Sequence, residues 1–371
     1  MEPTNPSYWN PLSFNRVATI NDLSGLEIPL PIDGIVVFVE TVGVPINGGA
    51  YYGLLLSSGQ PIDGINVVGT FLGGAARWLR LAVLAVTQSA VPEANGMRLT
   101  LTSGVPVTTA DVVGAQTVFL TPYISGTLSL YSAGAWVTHI GLTETSLPLG
   151  VLLSGKNYDV FAFWTGTGTG IGLEFSAAWA SDTTRTDALA RQDGILVKAT
   201  DHTRRYMGTI RTTSTTTTED SIANRFLWNQ SNQALRKLKV IDGTASWTYS
   251  ASAWRAARGQ ASNSFQYVTG DAASFMRVTT RGLIENSGSP EVAAVVGVGV
   301  DTSTANSSDM HGTNASVFAT ETTAFYEGYP GLGWHQIFWI ESGTAGPTPT
   351  FYGAPVAADR FQSGMMGEFF A

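Results

Sequence analysis

The chain of 371 residues contains no cysteine. Disulfide-stapled scaffolds, thiolate metal sites and cysteine nucleophiles are therefore excluded. Charged residues are also scarce: they make up 13% of the chain, which is about half of the usual share in globular proteins. The net charge of −8 argues against sequence-independent binding to nucleic acid, because such binding needs an excess of clustered lysine and arginine.

Segments that target or anchor a protein in membranes are also lacking. The first residues, MEPTNPSYWNPLSF, have no basic stretch followed by an apolar run, so we expect no signal peptide. Apolar stretches such as LRLAVLAV (79–86) are too short to span a bilayer. We therefore expect synthesis in the cytoplasm and no membrane insertion.

Helical patterns are few. The two best candidates are TRTDALARQDG (184–194) and SNQALRKL (231–238). In the first, Thr184 is placed as an N-cap and Gly194 as a stop signal, which predicts one short helix near 184–192.

Most of the chain instead shows short runs rich in Val, Ile, Thr, Tyr and Phe, separated by Gly, Asn, Asp and Pro. Such runs predict strands, and their close spacing with tight turns is typical of sandwiches and barrels. We predict an all-β fold whose main block is an antiparallel, jelly-roll-like β-sandwich. The predicted strands include 34–40, 97–102, 117–123, 126–131, 136–143, 158–164, 172–179, 194–199, 206–213, 224–230, 246–250, 264–270, 293–302 and 334–341.

One linker, TQSAVPEANG (87–96), separates two strand-rich blocks. We predict a small β-rich adaptor or docking module at 1–88 and a β-sandwich domain at 97–270. Residues 271–371 would complete the sandwich or form an assembly interface. No heptad repeats occur, so we expect any oligomer to form through β surfaces.

No metal or cofactor motif is evident. The four histidines, at positions 139, 202, 311 and 335, have no ligand spacing, and DTSTANSSDMHG (301–312) reads as a polar turn. GTGTGIG (166–172) superficially matches a dinucleotide fingerprint, but it leads into a strand-like segment rather than a helix. We predict that it is a hairpin turn and that the protein binds no cofactor and no metal.

Catalytic patterns are equally weak. No G-x-S-x-G elbow appears. Carboxylate pairs such as Glu174 with Asp182, or Glu219 with Asp220, stay candidates for glycoside hydrolysis, because it is the distance between two carboxylates in the folded protein that matters and not their spacing in the sequence. We expect each of these carboxylates to face solvent or to act as a cap, and we predict that the chain is not an enzyme.

The stretch HTRRYMGTIRTTSTTTTEDSIANRFLWN (202–229) combines arginines with a run of hydroxyls and two acids. Its alternation predicts a strand with Met207 and Arg211 on one face. Because the arginines are interleaved with acids, we expect Arg204, Arg205 and Arg211 to form ion pairs that pin loops or a subunit contact, rather than a phosphate groove.

These residues carry a family resemblance. KNYDVFAFW (156–164), LEFSAAWASDTTRTDALARQDGILVK (173–198), TRRYMGTIRTTSTTTTEDS (203–221) and NRFLWN (224–229) resemble a domain of tailed-bacteriophage structural proteins. The resemblance runs from about Gly114 to residue 307. The chain departs from it after Asn229, where Gln230 and Ser231 replace an aromatic pair.

A second resemblance lies in the first block. Residues 17–54 and ARWLRL (76–81) are similar to N-terminal adaptor modules of phage tail spikes and fibres. In those modules a Gly-Gly-aromatic turn is followed by a closing strand that contains a tryptophan.

The resemblance implies a virion structural protein, and we expect a homotrimeric tail fibre or baseplate-associated component. It would contact other virion proteins and a host-surface glycan or receptor, and it would reside on the phage tail or particle surface. A capsid decoration or head-fibre protein and a surface-glycan depolymerase are the alternatives.

The last 42 residues are unusually apolar. WHQIFWIE (334–341) carries large apolar groups on both faces, and GMMGEFFA (364–371) has almost no charge. Such segments need cover, either from another subunit or from their own sandwich. We therefore expect Trp334, Trp339, Phe369 and Phe370 to contribute to an interface. Most other aromatics, including Trp136, Trp164 and Trp228, are expected in the core.

Overall fold

The computed structural model describes residues 92–166, 170–286, 293–343, 348–354 and 361–371, together with the backbone of five earlier strands. Contacts divide the chain into two units, Met1–Ser89 and Ala90–Ala371. Among the described residues, the one helical element is a 3-10 turn at Ala257–Gly259. The expected all-β fold is confirmed. Within the same residues, no helix is long and apolar enough to cross a membrane.

The first unit contains a five-stranded sheet in its described part. Its strands have the order β1-β2-β3-β5-β4, with β1 parallel to β2 and the other pairs antiparallel. They are β1 (Asn15–Thr19), β2 (Val36–Thr41), β3 (Ala50–Leu55), β4 (Val67–Gly69) and β5 (Arg77–Arg80).

The second unit carries the remaining described strands. Its first half contains β6 (Met97–Thr100), β7 (Val112–Ala115), β8 (Thr117–Pro122), β9 (Leu128–Ser132), β10 (Ala135–His139), β11 (Thr145–Pro148), β12 (Asn157–Trp164), β13 (Ile171–Phe175), β14 (Leu189–Gln192), β15 (Ile195–Lys198), β16 (Asp201–Arg211), β17 (Thr218–Asp220), β18 (Asn224–Arg225) and β19 (Leu227–Asn229). Its second half contains β20 (Leu235–Ile241), β21 (Ser246–Thr248), β22 (Arg255–Ala256), β23 (Ser264–Thr269), β24 (Met276–Asn286), β25 (Ala294–Val300), β26 (Met310–His311), β27 (Thr313–Asn314), β28 (Thr320–Gly328), β29 (Gly333–Ser342), β30 (Pro349–Tyr352) and β31 (Gly364–Phe370).

These strands form three large sheets in the described part of the chain. Sheet A has the order β13-β12-β16-β15-β14, with β19 beside β16. Sheet B has the order β27-β25-β29-β23-β18-β17-β7, with β22 beside β29. Sheet C has the order β20-β31-β24-β28-β26, with β30 beside β24 and β21 beside β30. A small sheet, β11-β8-β6, and the hairpin of β9 and β10 complete the unit.

Sheets B and C face each other across the larger core. Alternate residues of β24 are buried, as expected for a strand with one covered face. Tyr267 of sheet B and Phe369 of sheet C meet with ring centroids 4.8 Å apart. The buried members of this core include Phe265, Val296, Val298, Ile337, Trp339, Met276, Val278 and Met365. This pair of packed sheets confirms the sandwich.

The central strand β12 of sheet A is covered on both faces. Tyr158, Val160 and Ala162 of β12 pack in a second core with the small sheet and the β9–β10 hairpin. The intervening residue Phe161 belongs to the larger core, together with Tyr206. The strand is therefore buried on both sides, which explains its nearly continuous apolar sequence.

The helix predicted near 184–192 is wrong. Leu189–Gln192 and Ile195–Lys198 form a β-hairpin instead. Asp193 and Gly194 both have positive φ, 50° and 90°, as a two-residue hairpin turn of the Asp-Gly type requires. Gly194, which the sequence pattern indicated as a helix stop, is thus a residue of the hairpin turn.

The helix candidate at 231–238 is wrong for a similar reason. Asn232 has φ 56°, which breaks a right-handed helix, and β20 begins at Leu235. Along β20, Leu235 and Lys237 are exposed whereas Arg236 and Leu238 are buried. Because the inward-facing position 236 holds an arginine, the hydropathy pattern of this strand does not show the alternation of buried and exposed residues.

The predicted face of β16 is also corrected. The pairing of β12 with β16 shifts register at Val160/Phe161 because a bulge skips Met207. Met207 therefore packs in the second core, while Arg211 lies on the side of Asp182. The two residues do not share a face.

The expected hairpin at GTGTGIG is confirmed, since β12 and β13 pair antiparallel around it, although residues 167–169 lie outside the described residues.

Trp228 is buried as expected, and Trp136 is half-buried. Trp164 is an exception to the expected core placement: it is 38% exposed at the end of β12, where its ring lies 5.7 Å from that of His139.

Close packing of sheets B and C yields a stability prediction. A Cβ added at Gly367 of β31 would lie 2.5 Å from the Phe265 ring. We expect Gly367→Ala to lower the free energy of unfolding by about 1–3 kcal/mol, because the two sheets must separate. Gly243→Ala is the matched control, since nothing lies within 4 Å of its Cβ position. Urea unfolding measures both, and equal stability of the two variants would contradict this packing.

Candidate functional site

Arg205 is a buried structural residue. Its guanidinium donates hydrogen bonds to the carbonyl oxygens of Pro92 (2.9 Å), Ala94 (3.1 Å) and Ser129 (2.7 Å). Burial lowers the pKa of Arg205 to about 10. Because the side chain is 3% exposed, it ties residues 92–94 to β9 and offers no surface to a phosphate.

Arg204 and Arg211 are also occupied within the chain. Arg204 donates to Glu174 (3.0 Å) and lies 4.2 Å from the centre of the Phe163 ring. Arg211 donates to Asp182 (2.7 Å) and lies 4.4 Å from the Trp334 ring centre. Both arginines therefore pin neighbouring segments through ion pairs and ring contacts.

A buried ion pair between Arg185 and Asp159 joins sheets A and B. The Arg185 Nε donates to Asp159 (2.8 Å), and its Nη2 donates to the Gly270 carbonyl (2.9 Å). Its guanidinium lies between the rings of Trp179 and Tyr206, 4.6 and 5.2 Å from their centres. Burial raises the pKa of Asp159, and the Arg185 charge opposes that shift.

A second buried cluster is centred on Asp220. Its carboxylate accepts hydrogen bonds from Arg225 (3.0 Å) and Arg236 (2.6 Å) and from the Thr108 hydroxyl (3.0 Å). This cluster connects β17, β18 and β20 with the loop before β7. One carboxylate bridges two arginines in an enclosed site, as in a structural ion-pair network.

The carboxylate pairs considered as catalytic candidates are engaged elsewhere. Glu174 is paired with Arg204 and Lys198, and Asp182 with Arg211. Glu219 accepts hydrogen bonds from Ser221 and Asn224. In the described ranges, no group of three or more His, Asp or Glu side chains is placed to hold a metal ion.

The apolar C-terminal residues have different environments. Trp339 and Phe369 are each 1% exposed and belong to the core between sheets B and C. Trp334 is half-buried against Arg211, whereas Phe370 is 54% exposed. Of the two arrangements expected for this segment, the structure shows the fold onto the chain's own sandwich. β31 is an interior strand of sheet C, between β20 and β24.

The outer face of sheet C is an exposed surface that carries apolar side chains. Strand register places its outward side chains in rows across the sheet. One row has apolar side chains at Met366, Phe325 and Met310, which are 45%, 40% and 67% exposed. The row beside it is ionic and reads Lys237, Glu368, Arg277 and Glu327.

Two concavities lie on this face. The first, of about 210 Å³, is lined by residues that include Lys239, Ile241 and Met366. The second, of about 480 Å³, is lined by Asp309, Met310, Phe325 and Glu327. They flank the middle of the sheet on opposite sides. We call this surface, made by the outward side chains of β20, β31, β24, β28 and β26, the C face.

The C face was not identified from the sequence. Buried and exposed residues alternate along its strands, but many of the outward positions hold threonines or charged residues, so the few apolar ones do not stand out. A period-2 count along TETTAFYEG (320–328) and GMMGEFF (364–370) is the signal that could have found it.

Comparisons with known proteins add little. No family model matches the chain, and no curated protein matches it. Among solved structures, the mosquito-larvicidal Cry4Aa toxin from Bacillus thuringiensis gives a TM-score of 0.16 at 7% sequence identity. The match covers 74% of this chain and 57% of the toxin chain. A score this low carries no argument about fold or function.

Removal of the Arg205 guanidinium should destabilise the fold. Arg205→Ala leaves buried carbonyl oxygens without donors, so we expect a loss of about 3 kcal/mol in unfolding free energy. Arg191→Ala is the control because Arg191 is exposed, and its loss should stay within about 0.5 kcal/mol. Thermal and urea unfolding compare the two variants. An Arg205→Ala protein as stable as the control would overturn the structural role.

Asp242 gives a pH-dependent prediction. Burial alone would raise its pKa, but hydrogen bonds from Arg258 (2.6 Å), Asn263 (2.8 Å) and Thr244 (2.9 Å) outweigh burial and lower the pKa to about 2. Because the folded pKa lies below the unfolded value, the carboxylate stabilises the fold fully above about pH 4, and this contribution is lost as the pH falls through 2.

We therefore expect Asp242→Asn to cost about 2 kcal/mol at pH 7 and about half of that near pH 3. Urea unfolding of both proteins between pH 3 and pH 7 measures the difference. A cost that does not change with pH would show that the ionised carboxylate is not its source.

Proposed function

We propose that this chain is a structural protein of a bacteriophage particle, a tail fibre or baseplate-associated component that contributes to host attachment. In this proposal it acts as a homotrimer, docks through residues 1–88 on other virion proteins, and projects its sandwich toward a host-surface glycan or receptor. It carries out no catalysis and uses no cofactor.

The observation that carries the proposal is the C face. Its apolar row is exposed on a rigid two-sheet scaffold, and soluble monomers rarely leave large contiguous apolar surfaces open. An ionic row borders it on one side, as at the rim of protein interfaces. A surface of this kind suits assembly contacts with other protein chains.

The arginines of the phage-like stretch support the same proposal. Arg185, Arg204 and Arg205 hold strands and loops through bonds within the chain. Residues used in this way stabilise a projecting domain against mechanical and thermal unfolding. They leave the recognition surface to the exposed side chains.

The proposal is tested on purified particles of the phage that encodes this chain. We expect mass spectrometry to detect the chain in the particles, and we expect gold-labelled antibodies against residues 92–371 to decorate the tail in electron micrographs. Preimmune antibody is the control. Absence of the chain from intact particles would overturn the proposal.

Two other outcomes identify the alternatives. Label confined to the capsid would indicate a decoration or head-fibre protein. Release of reducing sugar from host polysaccharide by the purified chain would indicate a depolymerase. Either result would replace the tail assignment.

A further inference from the structure

We propose that the C face lines a three-fold axis parallel to its strands, with the β20 edge of one copy against the β26–β28 edge of the next. The inference deepens the homotrimer in the proposed function and identifies its contact surface. It rests on the C face alone and not on the identity of the particle.

The ionic row has opposite charges at its two ends. Lys237 lies at the β20 edge and is exposed, and Glu327 lies on β28 toward the other edge. Within the chain, Arg277 already pairs with both of its neighbours in the row, with Glu327 at 2.6 Å and with Glu368 at 3.2 Å. When the strands of all copies run parallel to the axis, equivalent rows lie at the same height along it. Lys237 at the β20 edge of each copy therefore lies beside Glu327 of the neighbouring copy.

The apolar row is arranged in the same way. It reads Lys239, Met366, Thr279, Phe325 and Met310 from one edge to the other. Met310 is 67% exposed at its end. In the ring, the concavity beside Lys239 of one copy lies at the same height along the axis as Met310 of the next copy. The exposed Met310 side chain of each copy can therefore pack into this concavity where the edges of two copies meet.

A two-fold pairing of the same faces fits less well. Rotation about an axis along β24 reverses each row, so Arg277 would face Arg277 of the second copy. Glu368 would face Glu327 in the same arrangement. Like charges opposed across an interface cost free energy, whereas the cyclic arrangement brings unlike charges to each corner.

The width of the C face selects three copies. Five strands spaced about 4.8 Å apart span about 19 Å between the two edge strands, and a triangle of that side has its centre about 5.5 Å from each sheet. Stacked sheets lie about 10 Å apart, so outward side chains reach about 5 Å and fill this space. Four copies would place each sheet about 10 Å from the axis and leave a central channel.

Engineered cysteines test this geometry cleanly because the chain has none of its own. In a Lys239→Cys, Met310→Cys double variant, the two positions lie at opposite ends of one row, about 19 Å apart within a copy. That separation forbids a disulfide within the chain. Under complete oxidation we expect a covalent trimer on non-reducing gels, and each single-cysteine variant serves as a control.

Each other result would overturn the three-fold contact. Covalent dimers alone would indicate a two-fold pairing. An uncross-linked chain would mean that the face is not joined to a second copy.

Light scattering of the full chain provides the second measurement. We expect a particle of three times the chain mass of 39.3 kDa. Met366→Asp brings three carboxylates to the axis and should raise the dissociation constant at least roughly a hundredfold. Met366→Leu and Val151→Asp, the latter at an exposed site outside the C face, should leave the trimer intact. A trimer unaffected by Met366→Asp would place the contact elsewhere without bearing on the phage assignment.

Discussion

The requirement that every buried arginine find its acceptors governs the second unit. The chain has few charged residues, yet several of them lie inside. Arg98 donates to the main-chain oxygens of Asn232 and Ala371, and Arg236 donates to Asp220 and the Thr108 carbonyl. Each arginine joins segments that are far apart in sequence. Since an unpaired buried charge costs several kcal/mol, these bonds disfavour other strand registers.

Strands with regular alternation were predictable, because burial on one face leaves a direct trace in the sequence. The two predicted helices failed where local propensity conflicted with turn chemistry. Ala188, Leu189 and Ala190 are acceptable in a helix, but the Asp193-Gly194 pair is a stronger hairpin signal. In β20, the buried Arg236 replaces the apolar residue that would have revealed the strand.

The candidate site was less predictable than the fold. Arg204 and Arg205 are adjacent in one strand and point to opposite faces, and sequence alone does not tell which one is buried. The C face depends on β31 pairing with both β20 and β24, which are distant in the chain. Its rows therefore exist only once the sheet has formed. The apolar character of the C-terminal segment was evident from the sequence, but the partner that covers it was not.

The interior position of β31 has a consequence for folding kinetics. β20 and β24 leave the ribosome well before β31, and the space between them belongs to a strand that is still being synthesised. Sheet C cannot close until residue 370 has emerged, so contacts of long sequence separation limit its folding rate. During that interval two strand edges remain without partners and are open to pairing with other nascent chains. The longer those edges stay open, the greater is the chance that they pair with another chain before β31 arrives.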